Sequence, residues 1–295
     1  MTEQTGAVFD LGYKPYEGTR LGRSGAIRAI IKDGMRRVMG LRRKARKKVY
    51  PWTLVVLLAL PAIVFVGLAF FLSTFSPEAD SPFGGHSEYL GLSGAIVMLF
   101  VALAAPELLI SDREQGVLSV YSSRPITAWD YIAARAGALF AVVATFVLAP
   151  NILMYFGFAA LDSEGMASAL VGNLDDLGKV LLTTIAYIVG YGAPALLIAT
   201  YAKRTGPAAG IYLAIMFGSA GFAEAFQNVS FAGARFGTLL SFLQHPEVIR
   251  NWVFDQAQTG APIEAGFDPW ASLLVIVAVA VLTTVLMYRR YRVEL

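Results

Sequence analysis

The sequence predicts an all-α, polytopic membrane protein with six transmembrane helices, an N-terminal amphipathic interfacial helix, and both termini in the cytoplasm. Of its 295 residues, 56% are hydrophobic and 15% are charged, and the mean hydropathy is +0.59. Soluble domains carry about 25% charged residues. The apolar residues also gather into runs of about 20, the length that a helix needs to cross a bilayer. This composition excludes an ordinary soluble enzyme and a disordered chain.

Six segments are long and apolar enough to form the spans. Their approximate limits are 52–75, 89–110, 131–161, 179–201, 207–226 and 269–288. Each segment would satisfy its backbone hydrogen bonds internally as a helix. With the N-terminus inside, 21 of the 24 Lys and Arg residues fall in inner segments. Because Lys and Arg resist translocation, this bias predicts that both termini are cytoplasmic.

Residues 1–50 form a basic arm that precedes the transmembrane domain, 51–295. The arm holds 13 Lys and Arg against 4 Asp and Glu. From Ser24 onward the apolar residues follow a helical spacing, with basic residues on the other side of the wheel; they are Ile27, Ile30, Ile31, Met35 and Val38. This pattern favours a helix that lies on the lipid bilayer, and a solvated basic linker is the alternative. No nucleic-acid-binding motif accompanies the charge, so we expect no nucleic acid partner.

The cytoplasmic loop 111–130, between spans two and three, is the most informative segment for function. Its pattern predicts a short amphipathic helix that ends before Pro125, followed by an N-cap at Thr127 with Asp130 three residues later. Such a helix could fit a groove on a soluble partner. An ordinary capped turn between hairpin helices is the alternative. The candidate contact residues are Asp112, Arg113, Glu114, Gly116, Val117, Leu118, Tyr121, Arg124 and Pro125.

This loop resembles that of the permease subunits of ABC-2 type transporters. The similarity covers Asp112 to Tyr131, where a charged cluster, Gly116 with a Val-Leu pair and an Arg-Pro step precede the third span. The arrangement of a basic N-terminal helix, six spans and a long outer segment is also similar. The resemblance implies a bacterial inner-membrane exporter in which two permease copies, or a permease and a paralogue, sit on two ATPase subunits. It also implies that residues 113–121 form the coupling helix.

ATP hydrolysis is expected in a separate chain. A P-loop needs glycines around the phosphates, a Lys for their charge and a Ser or Thr for Mg²⁺. No such motif occurs in the sequence, so ATP and Mg²⁺ are expected on the partner ATPase. The chain has no cysteine and only two histidines, and neither belongs to a catalytic motif. We therefore expect no catalytic residue, no metal site and no cofactor in this chain.

Two further patterns lie within the spans. Small residues recur every fourth position of span five, as they do where helices approach closely; they are Gly206, Gly210, Ala214 and Gly218. They predict either a dimer seam or a contact within one bundle. On span four, Thr183, Tyr187 and Tyr191 form a partly polar stripe. The stripe is interpreted as a possible substrate path, with interhelical packing as the alternative.

The outer segment 228–268 is not simply polar. Its pattern predicts two short amphipathic helices, the second of which follows Pro246. They could dip into the outer interface or form a packed external cap.

Taken together, these features predict the permease subunit of an ATP-driven transporter. The substrate is not determined by the sequence. Two other interpretations stay open: a membrane scaffold or sensor that recruits a cytoplasmic partner, and a secondary transporter driven by an ion gradient. The ion-coupled alternative predicts acidic pairs within the membrane, which the sequence does not show.

Overall fold

A computed structural model describes residues 21–41, 44–75, 85–123, 126–163, 165–229 and 233–294. These residues are predominantly helical. The elements are α1 (Gly22–Val38), α2 (Arg46–Phe75), α3 (His86–Glu114), α4 (Val117–Ser122), α5 (Ala128–Ala160), α6 (Met166–Gly172), α7 (Leu174–Tyr201), α8 (Thr205–Gln227), a 3-10 helix (Ala234–Leu240), α9 (His245–Val253), α10 (Ala261–Glu264) and α11 (Pro269–Glu294).

The six predicted spans are confirmed as helices long and apolar enough to cross a membrane. They correspond to α2, α3, α5, α7, α8 and α11. Each helix includes the predicted segment to within one residue, and several extend a few residues further, since periodicity locates helix ends less well than helix centres. The chain thus has the architecture of a multi-pass membrane protein.

One predicted helix boundary is confirmed in detail. The Thr127 side chain accepts a hydrogen bond from the Asp130 backbone N–H, and the Asp130 carboxylate accepts one from the Thr127 backbone N–H at 2.9 Å. This capping box begins α5. The amphipathic helix predicted from Ser24 is α1, which begins two residues earlier. The first 20 residues of the basic arm lie outside the described residues.

The apolar face of α1 packs against protein. Ile30 is 3% exposed and lies in a cluster with Ile126 and Ala134 at the start of α5, while Val38 joins the main core. Arg28 and Lys32 on the opposite face are exposed. The hydrophobic stripe that predicted a membrane-surface helix is therefore at least partly covered by the bundle.

Both ends of the described chain lie at the same end of the bundle as α4. Arg23 of α1 contacts Asp130 at the start of α5, and Tyr291 near the end of α11 contacts Arg113 near the end of α3. We call this the α4 end. The opposite end carries α6, α9 and α10 and is called the α9 end.

The two short helices predicted in 228–268 are confirmed as the 3-10 helix and α9. Helix α9 is inserted among α3, α7 and α11 and is not a surface cap: Val248 and Ile249 are 0% and 4% exposed. Its first turn packs Pro246 against Gly190 in the interior of α7. The α9 residue Glu247 contacts Gly94 of α3. Gly94 lies eight residues after His86, the first residue of α3, which is about 12 Å along the helix axis at about 1.5 Å per residue. Helix α9 therefore enters the bundle from the α9 end.

Candidate functional site

Asp112 is the centre of a buried ionic network at the α4 end. Its carboxylate is 0% exposed and accepts hydrogen bonds from the Arg135 Nε and Nη2 atoms, each at 2.8 Å. Arg37 Nη1 donates to the same carboxylate at 2.8 Å, as does the Tyr131 hydroxyl. A buried carboxylate with two guanidinium partners is satisfied electrostatically. Asp112 therefore joins α3 to α1 and α5.

Further contacts attach α1 and α4 to this network. Asp33 of α1 lies 3.0 Å from Arg37 Nη2 and 3.5 Å from Arg135 Nη1. The Tyr121 hydroxyl of α4 accepts a hydrogen bond from Arg135 at 3.3 Å, and burial raises the pKa of Tyr121, so it stays a neutral phenol. One guanidinium thus contacts residues of α1, α3 and α4.

A second ion pair holds the beginning of α1 to the capping box. Arg23 Nε and Nη2 donate to the two carboxylate oxygens of Asp130 at 2.9 and 2.8 Å. The hydrogen bond from Arg23 to Asp130 raises the pKa of the guanidinium. Since Arg23 is exposed, this pair orients α1 more than it stabilises the fold.

Arg113 is directed to the other side of α3. It donates to the carbonyl oxygens of Ala199, Thr200 and Ala202 at 2.6 to 2.7 Å, and to the Tyr291 hydroxyl at 2.9 Å. The last carbonyls of a helix lack backbone partners and carry partial negative charge, which a guanidinium stabilises. Arg113 therefore ties α3 to the ends of α7 and α11.

The remaining loop residues divide into a buried and an exposed set. Leu118 is 8% exposed and packs in the core with Tyr121, whose ring centroid lies 6.0 Å from that of Tyr131. Val117 is half-buried. The exposed residues are Glu114, Gln115, Gly116, Ser119 and Val120. Arg124 and Pro125 lie outside the described residues.

Gly116 is required by the backbone between α3 and α4. Its φ of 65° is in the left-handed region that favours glycine, and its position carries the chain from one helix into the next. A Cβ there would meet no described atom within 4 Å. The constraint at Gly116 is therefore conformational.

The stripe on α7 packs internally. Thr183, Tyr187 and Tyr191 are at most 1% exposed. The Tyr187 hydroxyl donates to Glu247 Oε1 at 2.9 Å and lies 3.0 Å from the Leu90 carbonyl, whereas Tyr191 contacts the carbonyl of Leu243 at 3.4 Å. In this conformation the three side chains are buried, and Tyr187 and Tyr191 contact the segment that carries α9.

A second charged cluster lies at the α9 end. Arg250 Nε lies 3.3 Å from Glu247 Oε2, and Arg250 Nη1 donates to the Ser87 carbonyl at 3.2 Å. Burial raises the pKa of Glu247. A side chain at Gly91 would overlap the Arg250 guanidinium, and one at Gly94 would overlap the Glu247 carboxylate. These two glycines of α3 thus make space for the charged side of α9.

Sequence reasoning missed the partners of Asp112. Arg135 is 0% exposed and lies inside span three, where an ionisable residue is costly unless it is paired. That cost was the one available signal for a role of Arg135. No local pattern indicates that Arg37 or Tyr291 contacts the loop, because these contacts join segments that are distant in the sequence.

No protein-family model matches the chain, and no curated protein matches it either.

Proposed function

We propose that the chain is the transmembrane permease subunit of an ATP-driven ABC exporter, located in a bacterial inner membrane with its termini and the α4 end in the cytoplasm. Two such subunits, or one with a paralogue, would pair and bind two P-loop ATPase subunits, which supply ATP and Mg²⁺. The observation that carries the proposal is a short helix, α4, that stands at the end of the bundle and is joined to it through Asp112 and Arg113.

The exposure of this region supports a docking role. Glu114 and Gln115 at the end of α3 and Val120 on α4 face away from the bundle, and Val120 is 52% exposed. An exposed apolar residue beside a carboxylate suits a groove on a soluble protein. The ATPase contact is therefore proposed at Glu114, Gln115, Ser119 and Val120, and the predicted Asp112, Arg113, Leu118 and Tyr121 hold α4 in place.

The two adjacent charged residues of α3 supply a route for motion. Asp112 joins α3 to α1 and α5, and Arg113 joins it to α7 and α11. A force on α4 would thus reach four of the six spans through buried, charge-assisted hydrogen bonds. Closure of the ATPase subunits would tilt these spans together and so alternate access across the membrane.

The small-residue ridge of α8 supports pairing. Gly206, Gly210, Ala214 and Gly218 are all exposed, and a Cβ at each of the three glycines would meet no described atom within 4 Å. Within the described part of the chain the ridge therefore has no helix packed on it. Of the two predicted roles, this exposure favours the dimer seam.

The test is purification of the chain from its native membrane in mild detergent, with mass spectrometry of the proteins that co-purify. We expect a soluble P-loop ATPase in stoichiometric amount. Val120→Asp should remove it, because a charge is placed in the apolar contact without disturbing the core. Val293→Asp is the matched control, since Val293 is 85% exposed at the same end on α11.

Three results would contradict the proposal. The chain could purify alone, its partner could lack a nucleotide site, or the ATPase could be lost equally from both variants.

A further inference from the structure

A cavity of about 210 Å³ lies at the α4 end, between the turn that joins α1 to α2 and the side of α3. Its polar side is formed by Arg37, Lys47, Glu107 and the first residue of α8, Thr205. Its other lining residues are apolar or aromatic, and those on α3 precede Glu107 and so lie further from the α4 end; the full set is Val38, Tyr50, Pro51, Phe100, Leu103 and Ala104. The cavity thus changes from charged to apolar along the direction of the spans.

Positive charge is concentrated around the cavity. The Lys47 side chain is 60% exposed, and Lys44 and Lys48 beside it in the sequence are also exposed. Lys203 and Arg204, which directly precede Thr205, are exposed as well. Cationic side chains grouped at the end of a membrane span attract anionic headgroups.

The position of Glu107 is compatible with an anion at Lys47. Its Oε1 atom lies 4.0 Å from Lys47 Nζ, at the limit of an ion pair. A mostly exposed lysine at that distance gains little from its carboxylate and has hydrogen-bond donors available for a second acceptor.

We propose that this cavity binds an anionic phospholipid, with the headgroup phosphate at Lys47 and an acyl chain along Phe100 and Leu103. The order of chemistry in the cavity, from cationic to apolar, is that of a phospholipid from headgroup to tail. A bound lipid would also contact α1, α2, α3 and the start of α8 together. The proposal concerns a lipid ligand and does not depend on transport.

The experiment is native mass spectrometry of the full-length chain in detergent, titrated with dioleoylphosphatidylglycerol. Dioleoylphosphatidylcholine, which has the same acyl chains, and inorganic phosphate are titrated separately. We expect one molecule of the anionic lipid to bind more tightly than phosphatidylcholine. Lys47→Gln should weaken that binding about fivefold, which corresponds to about 1 kcal/mol for a lysine at an anionic surface. Because Lys47 is exposed, the variant should fold.

Lys32→Gln is the matched control, since Lys32 is exposed on α1 at the same end but does not line the cavity. Its affinity for the anionic lipid should equal that of the unmodified chain. Equal binding of the two lipids, or an equal loss in both variants, would overturn the proposal. Binding of inorganic phosphate as tight as that of the anionic lipid would overturn it too, because the apolar wall would then contribute nothing.

Discussion

The two ends of the bundle each hold a charged cluster, and the clusters differ in how they fit charge among helices. At the α4 end, Asp112 and Arg135 are 0% exposed, and Arg37 and Asp33 complete a set of two guanidinium groups and two carboxylates. At the α9 end, Glu247 and Arg250 are 30% and 18% exposed and are accommodated beside two glycines of α3. The burial of the first cluster depends on the pairing of opposite charges. The second cluster depends mainly on the space that the absence of side chains at Gly91 and Gly94 leaves beside α3.

This difference suggests different tasks. A buried pair is strongly destabilised when one partner is removed, so the Asp112 network keeps its helices in a fixed relation. A cluster that is partly exposed and seated beside glycines can separate at lower cost. We therefore expect the α4 end to move as a unit and α9 to loosen more readily.

The largest effect is expected at Asp112. Asp112→Asn leaves Arg135 and Arg37 buried opposite a neutral amide, and should lower the free energy of unfolding by about 3–5 kcal/mol. Denaturant unfolding of the purified chain in detergent measures the change. Asp33→Asn is the control, because Asp33 is 50% exposed and should cost far less. Equal losses in the two variants would show that the α4 end does not depend on the buried charge.

A smaller effect is expected from filling space at the α9 end. Gly94→Ala places a methyl group against the Glu247 carboxylate and the tip of the Tyr187 ring, so these side chains must shift and the contact of α9 with α3 is weakened, at a cost of about 1–3 kcal/mol. Hydrogen exchange of 241–253 should increase. Gly67→Ala in α2 is the control, since a Cβ there meets no described atom within 4 Å. If exchange is unchanged in Gly94→Ala, the room beside Gly94 is not needed to seat α9, which would contradict this explanation.

The smallest effect is expected from acidification at the α9 end. His245 is 1% exposed, contacts Ser272 Oγ and the Leu239 carbonyl at 2.9 Å, and has a pKa that burial lowers. The folded state then binds a proton less readily than the unfolded state. Stability should fall as the pH drops through about 6.5, the ordinary value for histidine. Burial raises the pKa of Glu247, so its protonation as the pH falls has the opposite effect on stability.

Hydrogen exchange of 241–253 at pH 7.5 and 5.5 tests this expectation. The intrinsic rate of amide exchange falls with the pH, so protection is expressed relative to that rate at each pH. Protection should be lower at pH 5.5, and His245→Gln should remove most of the difference. An acid response that persists in that variant would assign the sensitivity to another group. A response equally large around Asp112 would remove the distinction between the two ends.

The elements that were predicted well from the sequence are those determined by residues close to one another along the chain. The six spans follow from the lengths of apolar runs, and the start of α5 follows from Thr127 and Asp130, three residues apart. The helix after Pro246 follows in the same way. The candidate site was less predictable. The pattern of charges indicated which loop to consider, but it did not indicate which side chains of the loop are buried and which are exposed. Asp112 and Glu114 are two positions apart, yet one is buried and the other is exposed.

The sequence by itself determined that this is an all-helical, six-span chain with a basic amphipathic helix and a structured loop, since backbone hydrogen bonding in lipid leaves few alternatives to a helix. Only the tertiary structure decided that Arg135 and Arg37 share Asp112, that α9 enters the bundle, and that the ridge of α8 is exposed. The physical reason is separation along the chain. Arg37 and Asp112 are 75 positions apart, and no local pattern encodes which distant charges must pair to be buried.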